Sequence, residues 1–185
     1  TRNIQHFGYG IKAFALSMIE TAAELTEGRI TGGDIQTIIG WAREMLRADV
    51  ELLPHVRETL PLLAEKYSLM IITKGDLLDQ EAKVARSGIG QYFRHIEVVS
   101  QKTPAVYAQI LRKHGVEPGR FLMVGNALRS DILPVLELGG RAVYIPQENT
   151  WIHENVASPP AGQVGYYELE HLGQLPALLE NLEPI

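Results

Sequence analysis

Phe121-Leu122-Met123-Val124-Gly125-Asn126-Ala127-Leu128-Arg129-Ser130-Asp131-Ile132-Leu133 is the stretch whose reading decides the fold. It opens on four apolar residues without polar alternation. A strand buried on both faces of a helix-covered parallel sheet has that composition. Gly125 follows, a residue that lets a chain turn sharply and lets a ligand approach the backbone. Polar Asn126, Arg129, Ser130 and Asp131 come next. Ile132-Leu133-Pro134-Val135-Leu136 is then apolar enough for a buried helix, with Pro134 tolerable only in its first turn. Strand, glycine turn, acid and helix together set a carboxylate at the carboxyl edge of an open α/β sheet, where ligands bind. For Asp131 taken alone two readings stand, a site carboxylate and an N-cap of the following helix.

The flanking sequence repeats this rhythm. Leu69-Met70-Ile71-Ile72 predicts a short buried strand ending in Thr73-Lys74-Gly75-Asp76, and a helix runs from Leu77 to Ser87 before Gly88. Phe93, Ile96, Val98 and Val99 predict a strand ending in Ser100-Gln101-Lys102-Thr103-Pro104, followed by a helix from Ala105 to His114. After the central stretch, Arg141 to Pro146 predicts another strand and Tyr166 to Leu169 an edge strand. Residues 147–165 are polar and irregular, and Leu175 to Leu182 closes as a helix. Alternating strands and helices from Leu53 onward imply crossover connections and a largely parallel sheet. The chain before Leu52 reads differently. Ile11, Phe14, Ala15, Met18, Ile19 and Ala22 make one apolar stripe on a helix expected from Ile4 to Leu25. Thr31-Gly32-Gly33-Asp34 opens a second helix, and Trp41 is expected to pack between the two. The fold class is therefore α/β, a three-layer parallel-sheet Rossmann-like core over 52–185 preceded by a small α-helical hairpin over 1–51.

A chain of 185 residues, 45% hydrophobic and 21% charged, suits one globular domain with a small appendage. The net charge of −5 argues against a nucleic-acid partner, which selects for a basic patch. No run approaches the roughly 20 apolar residues of a membrane span. The absence of cysteine removes disulfide and thiolate chemistry and suits a reducing cytoplasm. The six histidines lack a paired metal-ligand spacing and read as surface or core residues. Among them, His153 beside Trp151 is read as a surface residue, with the site rim as the alternative. No Gly-x-Ser-x-Gly or Gly-x-Gly-x-x-Gly pattern supports serine hydrolysis or dinucleotide binding.

Three strand ends carry chemistry. Thr73-Lys74-Gly75 offers a hydroxyl, an ammonium and a flexible backbone whose N–H groups make an anion-binding concavity; the bland reading is a turn with an incidental threonine. Lys102 before a helix start holds a phosphoryl group as a point charge, or is a solvated surface lysine. Asn126 and Asp131 offer the hard oxygens that Mg²⁺ accepts while keeping several waters.

The order of these signals along the chain resembles the haloacid dehalogenase-like hydrolase superfamily. The resemblance covers the whole chain, the helical hairpin being similar to the cap of its capped, phosphatase-like members. It implies that Thr73 hydrogen-bonds the transferred phosphoryl group and that Lys102 steadies nucleophile and phosphate. It implies too that Asn126 and Asp131 help to hold Mg²⁺. Lys102-Thr103-Pro104-Ala105-Val106-Tyr107 resembles the family's lysine followed by a helix that carries tyrosine. Two departures accompany it. Gly125-Asn126 stands where the family usually has Gly-Asp, which shifts more of the metal's charge requirement onto Asp131. The family's nucleophilic and acid/base Asp-x-Asp is absent from the sequence, so an N-terminal strand upstream of Thr1 is expected.

The expected function is Mg²⁺-dependent hydrolysis of a small phosphate monoester through a phospho-aspartyl intermediate. Thr73, Lys74, Gly75 and Lys102 would bind the phosphoryl group, with the helical hairpin closing over it. The alternatives are a metal-independent 2-haloacid dehalogenase and a catalytically inactive relative that binds a phosphorylated ligand or a protein. The cap side chains Lys12, Ser17, Glu20 and Arg43 are candidates to face the substrate, and the oligomeric state is open.

Overall fold

Two glycines decide how the chain begins. In the computed structural model, which describes residues 2–148, 154, 156–160 and 162–182, the single helix expected over 4–25 is two, α1 (Arg2–Phe7) and α2 (Ile11–Leu25). Gly8 and Gly10 break it by taking φ values of +74° and +112°, where a side chain is strained.

One compact unit comprises Thr1–Glu51 and Met70–Ser100. Its helix α3 (Gly32–Arg47) starts from a capping box. The Thr31 hydroxyl accepts the Asp34 amide at 3.2 Å, and the Asp34 carboxylate accepts the Thr31 amide at 3.0 Å. Ala15, Ile38 and Ala42 are the buried residues between α2 and α3, with Ile11, Met18, Ile19 and Ile30 around them. Trp41 does not pack there, and is 49% exposed. It sits about 100° around the helix from Ala42, off the stripe that faces α2. In the same unit β1 (Leu69–Lys74, whose first residue falls in the other unit), α5 (Leu77–Ser87) and β2 (Phe93–Val99) follow in order, and β1 pairs with β2. Asp76 caps α5 by accepting the Asp79 amide at 3.2 Å, and Gly88 ends it in the left-handed region at φ +68°.

The other unit comprises Leu52–Leu69 and Gln101–Ile185. It holds α4 (Val56–Lys66), α6 (Pro104–His114), β3 (Leu122–Gly125), α7 (Leu133–Glu137), β4 (Arg141–Tyr144), β5 (Tyr166–Glu168) and α8 (Leu175–Glu180). The three strands run parallel in the order β3-β4-β5, with Val124 opposite Val143 and Val143 opposite Tyr167. Neighbouring residues of the central strand serve opposite faces. Val143 packs with Leu63 of α4 and Leu175 of α8, whereas Ala142 packs with Leu128 and Ile132. Both β4 residues are fully buried. The sheet is thus covered on both faces, which explains the unbroken apolar runs of β3 and β4.

The chain has the α/β, Rossmann-like fold its strand and helix alternation predicts. The described strands fall into two hydrogen-bonded sets, β1-β2 and β3-β4-β5, where the sequence reads as one sheet. Alternation reports crossovers, not which strands become neighbours. No helix among the described residues is long and apolar enough to cross a membrane.

Adjacent leucines of α4 test the core assignment. Leu63 is 6% exposed and Leu62 is 54% exposed. Leu63→Ala is expected to cost about 2–5 kcal/mol in urea unfolding, and Leu62→Ala no more than about 0.5 kcal/mol.

Candidate active site

Gly125 decides the geometry at the end of β3. Asn126 is exposed, and the chain then enters a π-helical turn, Leu128–Ile132, before α7. Such wide turns interrupt the regular ladder and recur at functional sites. Asp131 lies within it and is not an N-cap; the residue in that position of α7 is Ile132, and Pro134 falls in the first turn. Instead Asp131 folds back on Ala127. Its amide donates to the Ala127 carbonyl at 2.7 Å, and its Oδ2 accepts the Ala127 amide at 3.1 Å. A Cβ at residue 125 would overlap the Asp131 carboxylate, so glycine is what lets this acid lie against the strand end.

Lys102 reaches the same carboxylate. Thr103 caps α6 by accepting the Val106 amide at 3.3 Å, and Pro104 occupies its first turn. That cap fixes the residue just before it. Lys102 Nζ donates to Asp131 Oδ1 at 2.6 Å, with side chains only 10% and 7% exposed. The solvated-lysine reading of Lys102 is thereby excluded. Tyr107, on the first turns of α6, is fully buried, and its hydroxyl donates to the Ser130 carbonyl at 3.0 Å. Burial first, then the negative charges of Asp131 and Glu154, push this phenol far above its ordinary value, so it stays a proton donor. Ser130 in turn donates through Oγ to Glu154 Oε2 at 2.6 Å.

The Thr73 strand end belongs to the other unit. There the Thr73 hydroxyl donates to Gln80 Oε1 at 3.0 Å. Gln80 Nε2 donates to Asp79 Oδ2 at 3.4 Å, and Lys83 pairs with the same oxygen at 3.4 Å. Gly75 has φ +146°, and a Cβ there would stand 2.9 Å from Gln80 Nε2. The glutamine amide therefore lies directly on the turn. Lys74 Nζ sits 4.6 Å from the centre of the Tyr9 ring. Lys12 Nζ is 2.9 Å from Asp76 Oδ1, and this contact leads the causes that hold the Asp76 carboxyl below its ordinary value. Of the other cap candidates, Ser17 spends its hydroxyl on the Ala13 carbonyl at 2.9 Å, Arg43 is exposed, and one Glu20 oxygen is buried without a hydrogen-bond partner among the described residues. His153 and Trp151 lie outside the described residues.

Sequence reasoning missed Gln80, Ser130 and Glu154. Ser130 adjoins Asp131 and was within reach. Glu154 lies in an aperiodic polar stretch that carries no pattern from which its burial could be read.

The sequence model of the haloacid dehalogenase-like hydrolases matches residues 9–139. The chain belongs to that family. Human N-acylneuraminate-9-phosphatase is 28% identical over 138 residues, 71% of this chain and 53% of the relative. A glyceraldehyde 3-phosphate phosphatase from Pyrococcus furiosus is 29% identical over 143 residues, 70% of this chain and 54% of the relative. The chain spans about half the length of these curated relatives. Among solved structures, a haloacid dehalogenase-like family hydrolase from Xanthomonas campestris is 42% identical with a TM-score of 0.85, covering 97% of this chain and 71% of its own. A 2-haloacid dehalogenase from Pseudomonas syringae pv. Tomato is 26% identical with a TM-score of 0.58, covering 84% and 66%.

For Mg²⁺ the donor chemistry can be tested directly. Among the described residues no group of three or more His, Cys, Asp or Glu side chains is placed to hold a metal ion. Mg²⁺ asks for less, since it keeps several waters and is held by one or two carboxylates with substrate oxygens. Each Asp131 oxygen has a described donor, and each keeps a further lone pair. With the side-chain amide of Asn126 following Gly125 at the same strand end, the set fits a water-rich site.

Replacing Lys102 by Met leaves the Asp131 carboxylate buried without its ammonium. Urea unfolding of the full-length protein is expected to show a loss of about 3–5 kcal/mol. Lys102→Met with Asp131→Leu is expected to recover part of that loss, because no lone charge then remains buried.

Proposed function

We propose that the protein is a Mg²⁺-dependent hydrolase of small phosphate monoesters that works through a phospho-aspartyl intermediate. The observation that carries the reading is the buried Lys102–Asp131 pair at the carboxyl end of β3. An ammonium held that firmly beside a carboxylate is a fixed positive charge in a dry environment, where it stabilises transferring phosphoryl oxygens most strongly. The curated relatives named as phosphatases support the same reaction class.

In this reading one carboxylate of an Asp-x-Asp upstream of Thr1 attacks phosphorus, the P–O ester bond breaks, and the second carboxyl of that pair gives its proton to the departing oxygen, which leaves as alcohol. Water then cleaves the acyl phosphate and releases inorganic phosphate and the free carboxylate. No Asp-x-Asp occurs within the 185 residues, which is why the nucleophile is assigned upstream. Asp131 and Asn126 would hold Mg²⁺, which would supply charge neutralisation between two anionic reactants. Lys102 holds the nucleophile and a phosphoryl oxygen. The Thr73 hydroxyl and the backbone N–H groups of Lys74 and Gly75 bind further phosphoryl oxygens, the Gly75 N–H by giving up its long 3.4 Å bond to the Val99 carbonyl. For that, Thr73 exchanges its bond to Gln80 for one to phosphate, so Gln80 keeps the hydroxyl oriented until substrate arrives. In the same reading residues 1–51 are the cap and 52–185 the core.

Metal-independent dehalogenation is the second reading, favoured by the uncharged amide of Asn126 in place of a carboxylate. The absence of a nucleophile within the chain is the feature behind a third, a binding protein without activity. Turnover of p-nitrophenyl phosphate by the full-length protein separates them. It is expected to require Mg²⁺, to stop with EDTA, and to fall about 10²–10³-fold in Lys102→Ala. Wild-type turnover in Lys102→Ala, or activity indifferent to EDTA, would contradict the assignment.

A further inference from the structure

Glu154 has no part in the chemistry described so far, yet it is 8% exposed and points its carboxylate at Ser130, which is 6% exposed. Burying a carboxylate is costly unless it is well bonded. A hydroxyl–carboxylate bond of 2.6 Å is of the short, charge-assisted kind.

The position of Ser130 gives this bond a role. It directly precedes Asp131 inside the π-helical turn. Ser130 is gripped at two points: its carbonyl by the Tyr107 hydroxyl at 3.0 Å, its side chain by Glu154 at 2.6 Å. Asp131 is gripped by Lys102 and by the Ala127 amide. A chain of short bonds thus runs from Glu154 through Ser130 to the carboxylate that faces Lys102. The two ends of that chain come from stretches 24 residues apart, Ser130 on the turn and Glu154 beyond β4. A π-helical turn lacks the regular ladder that would hold its own residues in place, so its geometry depends on such outside anchors.

We propose that Glu154 is a positioning residue which, through Ser130, sets the orientation of Asp131 towards the divalent cation. The inference rests on the Mg²⁺ reading above. Partners of metal-ligating carboxylates typically govern affinity by about 10–100-fold.

The test titrates Mn²⁺, as a paramagnetic stand-in for Mg²⁺, into full-length wild type, Glu154→Gln, Glu154→Ala, Ser130→Ala and the double Ser130→Ala/Glu154→Ala variant. Free ion is read by electron paramagnetic resonance, with thermal unfolding alongside. Glu154→Ala and Ser130→Ala are each expected to weaken Mn²⁺ binding by about 10–100-fold. The double variant is expected to be no worse than either single, because both act through one bond. Glu154→Gln keeps an acceptor and is expected to retain most of the affinity. Mn²⁺ affinity within twofold of wild type in Ser130→Ala, or losses that multiply in the double variant, would overturn the inference, whatever happens to the melting temperature. Should Glu154→Ala fail to fold, the affinity of Ser130→Ala decides between the two outcomes by itself. A wild type that binds no Mn²⁺ refutes the metal reading and the inference together, and is told apart because the defect precedes any substitution.

Discussion

A lysine ammonium and an aspartate carboxylate 2.6 Å apart, both nearly sealed from water, are the constraint around which the second unit is arranged. Neither charge is tolerable there alone. Bringing them together requires an N-cap at Thr103 to fix where Lys102 leaves the chain, and a glycine at 125 to let the carboxylate lie against the strand. A π-helical turn then aims Asp131 back at Ala127. Sheet packing supplies the frame: Val143 and Ala142 anchor opposite faces of the central strand, and Leu128 and Ile132 of the same turn pack on Ala142. The turn that carries the acid is therefore also part of the core, which ties the stability of the fold to the geometry of the site.

The unit containing β1 answers a different physical demand. Its turn after Thr73 is dense with side-chain commitments. The hydroxyl is bonded to Gln80, Asp76 is bonded to Lys12, and Lys74 lies over the Tyr9 ring. These bonds link α5 and the first residues of α2 to the end of one strand. Lys12–Asp76 is largely solvated and so contributes little to stability in itself. Because the Asp76 carboxyl is held below its ordinary value, the contribution it makes is present above the ordinary carboxylate range and fades as pH falls through the lowered value.

Much of this was legible in the sequence, for identifiable reasons. Runs such as Leu122-Met123-Val124 announce doubly covered strands, and Gly88 and Gly115 mark helix ends by their left-handed conformations. Strand ends bearing Thr73, Lys102 and Asp131 stood out because polar residues there follow apolar runs. The break at Gly8 and Gly10 was missed because the apolar stripe that follows starts only at Ile11 and masks it. Bulk and hydrophobicity suggest burial for Trp41, whereas its angular position on α3 faces it outward. Glu154 is illegible because its burial depends on tertiary contacts, the bond from Ser130 among them, and no local period encodes those.

The most direct measurement is a crystal structure of the full-length protein soaked in Mn²⁺ with an inert phosphate analogue, the metal located by anomalous scattering. The account predicts manganese bonded directly to an Asp131 oxygen, with Lys102 within hydrogen-bond reach of the analogue. Manganese bound elsewhere, with Lys102 and Asp131 contacting only each other, would contradict it.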